Sequence, residues 1–297
     1  IIALVLTVPV CVYCRPILRV MNTPEDVFEY AYQYIFIIFL GIPAALLYNI
    51  LAAILRSLGD SKTPVLFLAL SSVLNIGLDI ISIKLWGMGV DGTALATVIS
   101  QGVSGVICFF YMKKRFTVLQ MSREERRPDG AKMKRLCYMG IPMGLQYSIT
   151  AIGSLVIQAT MNGFGSVAVA GATAANRING FLTCPIEALG ASMAPYVGQN
   201  LGAGKLDRVS RGVIDASLCG FVSSGVLYVI IWLYGAQLTG IFLDAPDPAV
   251  TAYAVEFLRI VGAGYCLLTL VNVVRFSIQG LGFSVLAILS GVMEMIA

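Results

Sequence analysis

A few polar and charged side chains lie inside long apolar runs of this sequence. Asp79 follows Asn75 by four residues, so both lie on one face of a helix. Arg177 is next to Asn176 in another run, and Glu187 follows ten residues after Arg177. A charged side chain at the centre of a bilayer costs at least ~2.5 kcal/mol. These side chains therefore need polar partners or a function, and the chemistry they offer is proton or cation exchange.

Each of these groups also has a structural interpretation. Asp79 and Asn75 can hydrogen-bond neighbouring helices as well as they can serve ion coupling. Glu187 is the main candidate for a proton- or cation-responsive acid. It can instead neutralise Arg177, or accept hydrogen bonds from backbone groups that Pro185 leaves without a partner. Both interpretations stay open at the level of the sequence.

Other polar side chains in the apolar runs have weaker claims to a function. Gln146 and Thr150 lie on one run, where they either line a polar cavity or bond adjacent helices. Glu256 and Arg259, three residues apart, are expected to pair. Arg275 is expected to extend its charged head towards the cytoplasmic side of the membrane.

The composition excludes several kinds of site. The chain has no His, and its seven Cys residues are scattered, so neither a metal site nor a cofactor is expected and the protein is not predicted to be an enzyme. The glycine-rich stretch 198–205 is predicted to be a loop. It is not a phosphate-binding loop, because no strand precedes it and the spacing differs. The net charge of +4 does not indicate nucleic-acid binding, since the basic residues lie between apolar runs.

Long apolar runs must position these side chains. Apolar residues make up 58% of the chain and charged residues 12%, against about 25% charged in soluble proteins. The sequence predicts an all-α, polytopic membrane protein with about nine spans, of which the sixth is interrupted by Pro185 and Pro195. A polar loop is expected at 15–29. The chain starts and stops within apolar runs and is interpreted as a fragment. The predicted spans are 1–14, 30–55, 64–83, 93–112, 136–161, 166–197, 212–242, 250–279 and a ninth from 283.

One segment of the chain recurs. Ten residues between Val27 and Ser61 reappear 223 positions later, without a gap, between Val250 and Ser284. The segment ends in a polar turn at 55–64, in which Gly59 is expected to adopt a left-handed conformation. An internal repeat is typical of secondary transporters. The two copies are expected to form equivalent helix–turn units.

The charges between spans predict the orientation. The hydrophilic stretch 113–135, here called the connector, has nine basic and three acidic residues. Because positively charged loops stay in the cytoplasm, the connector is expected to be cytoplasmic.

Four stretches together resemble the multidrug and toxic compound extrusion (MATE) family. They are 55–64 with its Arg-x-x-Gly-Asp core, 75–79 followed by Gly-Val-Asp-Gly-Thr at 89–93, Gly-Ile-Pro-Met-Gly at 140–144, and Pro185 leading to Gly-Gln-Asn-Leu-Gly-Ala-Gly at 198–204. The resemblance implies a two-lobed bundle of twelve spans. The fragment would lack the first two spans and the last, with partial lobes at 1–112 and 136–297 joined by the connector.

The resemblance also implies a function. It points to a multi-pass antiporter of the plasma membrane that exports organic, often cationic, compounds in exchange for protons or sodium. Its only expected partners are the bilayer and its small-molecule substrates, and the protein is expected to be a monomer. The alternative is a lipid-linked oligosaccharide flippase of the related superfamily, in which a strongly cationic cavity is common.

The chain departs from the sodium-coupled pattern of the family. Some relatives have an acidic residue eight positions after the proline of the span that follows the connector, where this chain has Thr150. Some have an Asp in the tenth span, and an apolar residue near Leu268 is aligned there. The resemblance therefore leaves the C-terminal cation site of those relatives without its usual acids.

Overall fold

Helices account for nearly all of the structure. The computed structural model describes residues 2–21, 23–116, 129–242, 247–283 and 285–296, in which it has twelve α-helices and no strand. The chain divides into two compact units, Ile1–Arg127 (unit 1) and Pro128–Ala297 (unit 2). That these units are the two lobes of a transporter stays a prediction.

Unit 1 is organised around its last helix. That helix, α6, packs against α3, α4 and α5. Leu55 and Cys108 are completely buried between α4 and α6, together with Leu51 and Met112. The helices of unit 1 are α1 (Ile2–Val12), α2 (Cys14–Val20), α3 (Glu25–Leu40), α4 (Ile42–Ser57), α5 (Lys62–Lys84) and α6 (Val90–Arg115).

Unit 2 is organised around one long helix, α8. It packs against α9, α10 and α11, whereas α7 packs mainly against α12. Ala175, Ile231, Leu258 and Tyr265 are buried where α8 to α11 meet. The helices of unit 2 are α7 (Gly130–Asn162), α8 (Ser166–Gly202), α9 (Leu206–Phe242), α10 (Pro248–Ala263), α11 (Tyr265–Gly280) and α12 (Val285–Ile296).

The internal repeat is visible in the helix boundaries. The bounds of α3 and α4, advanced by 223 residues, are those of α10 and α11. Each pair is bent at its shared glycine, by 45° at Gly41 and by 48° at Gly264. The expectation that the two segments form equivalent helix–turn units is confirmed at this level.

The turn after each bent pair is also repeated. Gly59 and Gly282 have φ values of +87° and +91°, which favour glycine. In the first turn Asp60 N donates to Leu55 O at 3.0 Å, and in the second Phe283 N donates to Ile278 O at 3.2 Å. This six-residue closure with a left-handed glycine caps the preceding helix. The left-handed conformation predicted for Gly59 is thus confirmed.

The helices that qualify as membrane spans are fewer than the nine predicted. In the described residues α5, α6, α7 and α9 are each long and apolar enough to cross a bilayer. The bent pairs α1–α2, α3–α4 and α10–α11 raise the number to seven if each pair is one span. Two predicted spans remain outside this set. The helix α12 has only twelve described residues, and α8 carries several polar and charged side chains.

Helices extend into two segments that were predicted to be loops. Residues 15–20 of the expected loop 15–29 belong to α2, which meets α1 at an angle of 59°. Arg15 bonds Glu29 at 3.2 Å and lies over the Tyr32 ring at 4.3 Å. The glycine-rich stretch 198–205 is mostly the last turn of α8, and only Ala203, Gly204 and Lys205 connect it to α9. Glycine content indicated a loop here, but the helix continues through it.

The sixth predicted span is not interrupted by its prolines. The helix α8 runs from Ser166 to Gly202 with Pro185 and Pro195 inside it. Each proline removes one backbone hydrogen bond, yet the helix continues through both, packed against α9, α10 and α11. The interruption expected at these residues is therefore wrong.

The connector is shorter than predicted. Residues 113–115 complete α6, where basic side chains suit the negative end of the helix dipole. At the other end α7 begins at Gly130, with the Asp129 side chain accepting hydrogen bonds from the backbone N–H groups of Ala131 and Lys132. Residues 117–128 lie outside the described part of the chain.

Candidate functional site

A polar cavity lies within unit 1, among α4, α5 and α6. Its volume is about 260 Å³. Asn75 lines it and donates to the Thr97 hydroxyl at 3.3 Å, which joins α5 to α6. The other polar residues of the lining carry amides or hydroxyls, and none of the lining residues is charged: Tyr48, Asn49, Ser71, Ser72, Ser100 and Gln101.

Asp79 lies one helical turn after Asn75 on α5. Its Oδ1 atom is buried and has no hydrogen-bond partner among the described residues. A buried carboxylate oxygen without a donor is costly, so the position of Asp79 calls for an explanation beyond packing. The predicted proximity of Asn75 and Asp79 is present, and the contact of Asn75 with Thr97 was not anticipated.

Gln146 and Thr150 lie on α7 within unit 2 and both bond other helices. Gln146 is 1% exposed and accepts a hydrogen bond from the Gln279 amide at 3.3 Å. Thr150 donates to Oε2 of Glu294 on α12 at 3.1 Å. Of the two interpretations given for these residues, the bonds between helices are the one observed.

The Thr150 contact leads to an ion pair that sequence reasoning missed. Arg275 Nη1 and Glu294 Oε1 are 2.6 Å apart, and the two side chains are 14% and 28% exposed. Arg275 also donates to Asn272. Arg275 therefore does not simply extend towards the membrane surface, as was expected, but neutralises a carboxylate on a neighbouring helix. The signal available in the sequence was the lone acid Glu294 in the last apolar run.

Asn176, Arg177 and Glu187 lie on α8, and all three side chains are exposed. Glu187 receives a contact of 3.5 Å from the Thr183 hydroxyl. In the part of unit 2 that the structure describes, Glu187 forms no ion pair with Arg177. The interpretation of Glu187 as the neutralising partner of Arg177 is therefore wrong.

The expected pair between Glu256 and Arg259 is not formed in the described residues. Arg259 instead places its guanidinium over the Trp232 ring of α9, 4.1 Å from the ring centroid. An indole face attracts a cation by several tenths to about 2 kcal/mol. Packing of α10 against α9 brings this ring within reach, which the spacing along α10 did not predict.

Among the described Cys, Asp and Glu residues, no three or more lie together as a metal ion would need. The candidate residues instead lie in three separate groups. In unit 1, Asn75 lines the polar cavity and Asp79 lies one helical turn from Asn75. In unit 2, Gln146 and Thr150 bond α11 and α12. The exposed side chains of α8 form the third group: Asn176, Arg177 and Glu187.

Comparison with known proteins gives one family. The MatE family model matches residues 1–81 and 142–293. The chain is 32% identical over 244 residues to Probable multidrug resistance protein YpnP of Bacillus subtilis (strain 168), covering 82% of this chain and 54% of that protein. It is 26% identical over 283 residues to Multidrug export protein MepA of Staphylococcus saprophyticus, covering 93% of this chain and 61% of that protein.

The fold is shared with a solved structure described as the outward-facing conformation of a multidrug resistance MATE family transporter of the MOP superfamily. The TM-score is 0.89 at 22% sequence identity, with 97% of this chain and 64% of that chain covered. The chain thus spans between 54% and 64% of the length of these relatives. Because the family model matches most of its residues, this multi-pass membrane protein belongs to the MATE family of transporters.

Proposed function

We propose that the complete protein exports organic, often cationic, compounds across the plasma membrane in exchange for protons or sodium. The names of the two relatives, a probable multidrug resistance protein and a multidrug export protein, support efflux of drug-like molecules. An antiporter of this kind needs a group that binds the coupling ion reversibly.

The unpartnered Oδ1 of Asp79, one turn from the polar cavity of unit 1, is the observation that carries this proposal. In the charged form, Asp79 attracts a proton or sodium ion. The Asn75 amide, one helical turn away on α5, bonds the Thr97 hydroxyl of α6, and oxygen atoms of this kind suit a hard cation. Binding and release of the ion would then change the charge beside the cavity by one unit in each cycle.

Transport in inside-out vesicles tests this function. The full-length protein should accumulate a fluorescent organic cation inside these vesicles when a proton or sodium gradient is imposed, and Asp79→Asn should abolish the dependence on the gradient. Asn removes the charge but keeps the shape, so the melting temperature (Tm) should change little. A matched control is Ser72→Ala, an uncharged lining residue, which should leave coupling intact. Gradient-driven export by Asp79→Asn at the wild-type rate would contradict the role of Asp79.

A lipid-linked oligosaccharide flippase is less well supported. Such a protein binds an anionic pyrophosphate headgroup, which calls for cavity arginines without partners. In unit 2 Arg275 is neutralised by Glu294 and Arg259 is stacked on Trp232. Arg177 on α8 is exposed and not paired with Glu187, and one arginine does not make a strongly cationic cavity. Flipping of a fluorescent lipid-linked oligosaccharide, with no export of the organic cation, would favour this alternative.

A further inference from the structure

A charged cluster that the proposed function does not use lies in unit 2, where α7, α11 and α12 meet. The Arg275 guanidinium donates through Nη1 to Oε1 of Glu294 at 2.6 Å, and through Nη2 to Oδ1 of Asn272. Thr150 donates its hydroxyl to the other carboxylate oxygen at 3.1 Å. The guanidinium is thus held between oxygen atoms of two helices, with 14% of the Arg275 side chain exposed.

The 223-residue repeat identifies the counterpart of this cluster in unit 1. A shift of 223 positions relates Asn272 and Arg275 of α11 to Asn49 and Ala52 of α4. The same shift relates Glu294 of α12 to Ser71 of α5. Asn49 and Ser71 line the cavity of about 260 Å³, and Ala52, one helical turn from Asn49, has no side chain long enough to fill it. Unit 1 therefore has an uncharged cavity where unit 2 has a carboxylate together with a cation.

We propose that Arg275 is a tethered cation, which permanently occupies the oxygen cage formed by Glu294 and Asn272. Unit 2 then takes up no dissolved cation at this position. A side chain attached to the neighbouring helix has a high effective concentration and excludes competitors from solution. This inference concerns a different site from the one proposed to couple transport, and it does not depend on the transported substrate.

The chemistry of the cage identifies what would bind if the tethered group were removed. Two oxygen acceptors approach two different nitrogen atoms of one planar guanidinium. A free guanidinium ion has the same planar donors, whereas sodium has none. Removal of Arg275 leaves Glu294 partly buried and uncompensated, which destabilises the folded state. The emptied cage should therefore bind guanidinium in preference to sodium.

The test is the Tm of the purified complete protein in lipid nanodiscs, with millimolar guanidinium chloride compared against sodium chloride at equal ionic strength. Arg275→Gln should lower the Tm, and guanidinium should restore it in a saturable manner because a ligand that binds the folded state raises stability. Wild type should show no such rise, since the cage is occupied. Arg275→Gln/Glu294→Gln should show none, since the carboxylate is gone.

Arg259→Gln is the matched control. It removes another arginine of unit 2, one that lies over an aromatic ring and does not pair with Glu256. Its Tm should fall without recovery in guanidinium. Equal recovery in Arg259→Gln and Arg275→Gln, or no recovery in Arg275→Gln, would overturn the proposal.

If Arg275→Gln does not accumulate, the double variant decides the matter. Accumulation of Arg275→Gln/Glu294→Gln with a Tm close to wild type would support the proposal, because an uncompensated charge would then be the cause of the loss. Failure of both variants would show that the shape of arginine, and not its charge, is required, and would refute the tethered-cation role.

Discussion

Asp60 illustrates how a single residue stabilises the turn between α4 and α5. The Thr63 hydroxyl donates to its Oδ2 at 2.6 Å and the Thr63 backbone N–H to its Oδ1 at 3.0 Å. Both hydrogen bonds lower the pKa of the Asp60 carboxyl below its ordinary value, and the bond from the Thr63 hydroxyl contributes most. The carboxylate form is therefore favoured in the folded state.

The lowered pKa predicts a pH dependence of stability. The stabilisation by Asp60 is fully present above the pKa of the unfolded chain, about 4, and is lost as the pH falls through the lower pKa of the folded state. Asp60→Asn and Thr63→Val should both flatten the loss of Tm on acidification below pH 4. Ser61→Ala, in the same turn, should keep the wild-type profile. An unchanged acid profile in Asp60→Asn would contradict this prediction.

Glu187 remains a proposed coupling acid of unit 2, and its surroundings sharpen the expected result. Because it does not pair with Arg177 in the described residues, Glu187→Gln leaves no buried arginine without a counter-charge. The Tm should therefore stay within about 1 °C of wild type, as for surface substitutions worth less than about 0.5 kcal/mol. Transport by the complete protein should become less dependent on pH. Unchanged transport across the pH range would remove Glu187 from the mechanism.

At the scale of elements, a glycine sets how closely α8 approaches α11. A Cβ atom at Gly190 would lie 2.9 Å from the Cβ of Asn272 and 3.1 Å from Cδ2 of Phe276. The first distance is too short for two carbon atoms and the second is tight, and the Cβ of Asn272 cannot swing away because it is attached to the backbone. Gly180, on the same helix, has no neighbour within 4 Å of such a Cβ.

These two glycines form a matched pair of substitutions. Gly190→Ala should destabilise the protein by about 1–3 kcal/mol, the usual cost of overpacking. Gly180→Ala should be neutral or stabilising by up to about 1 kcal/mol, because alanine favours helix. The measurement is unfolding of both variants in the same nanodiscs. Equal stability of the two variants would show that α8 and α11 can separate freely at this point.

At the scale of the whole molecule, the orientation in the membrane is the open prediction. Nine basic residues in the connector predict that it is cytoplasmic, and the end of α5 at Lys84 should then face the opposite side. In a variant without the seven native cysteines, Lys84→Cys should react with an impermeant thiol reagent added to intact cells. Lys132→Cys, whose native side chain is 83% exposed, should not react. The reverse pattern would invert the orientation.

Much of the fold was predictable because helix formation depends on residues that are close together in the sequence. Apolar runs must be helical in a bilayer, where every backbone group needs a partner within the segment. The repeat predicted that the two turns are alike, and both have a left-handed glycine, Gly59 in the first and Gly282 in the second. The sequence alone did not reveal the bends at Gly41 and Gly264, because a helix with a glycine can be straight or bent according to what packs on it.

The sequence by itself determined which polar side chains lie in apolar runs, and tertiary structure decided their partners. Asn75 and Asp79 share a face because helical spacing is local. Arg275 and Glu294 are nineteen residues apart on separate helices, so only the packing of α11 and α12 brings them to 2.6 Å. The same packing assigned Thr150 to that carboxylate at 3.1 Å. Charged side chains on different helices pair only when packing brings them close together, and the number of residues between them in the sequence does not predict that.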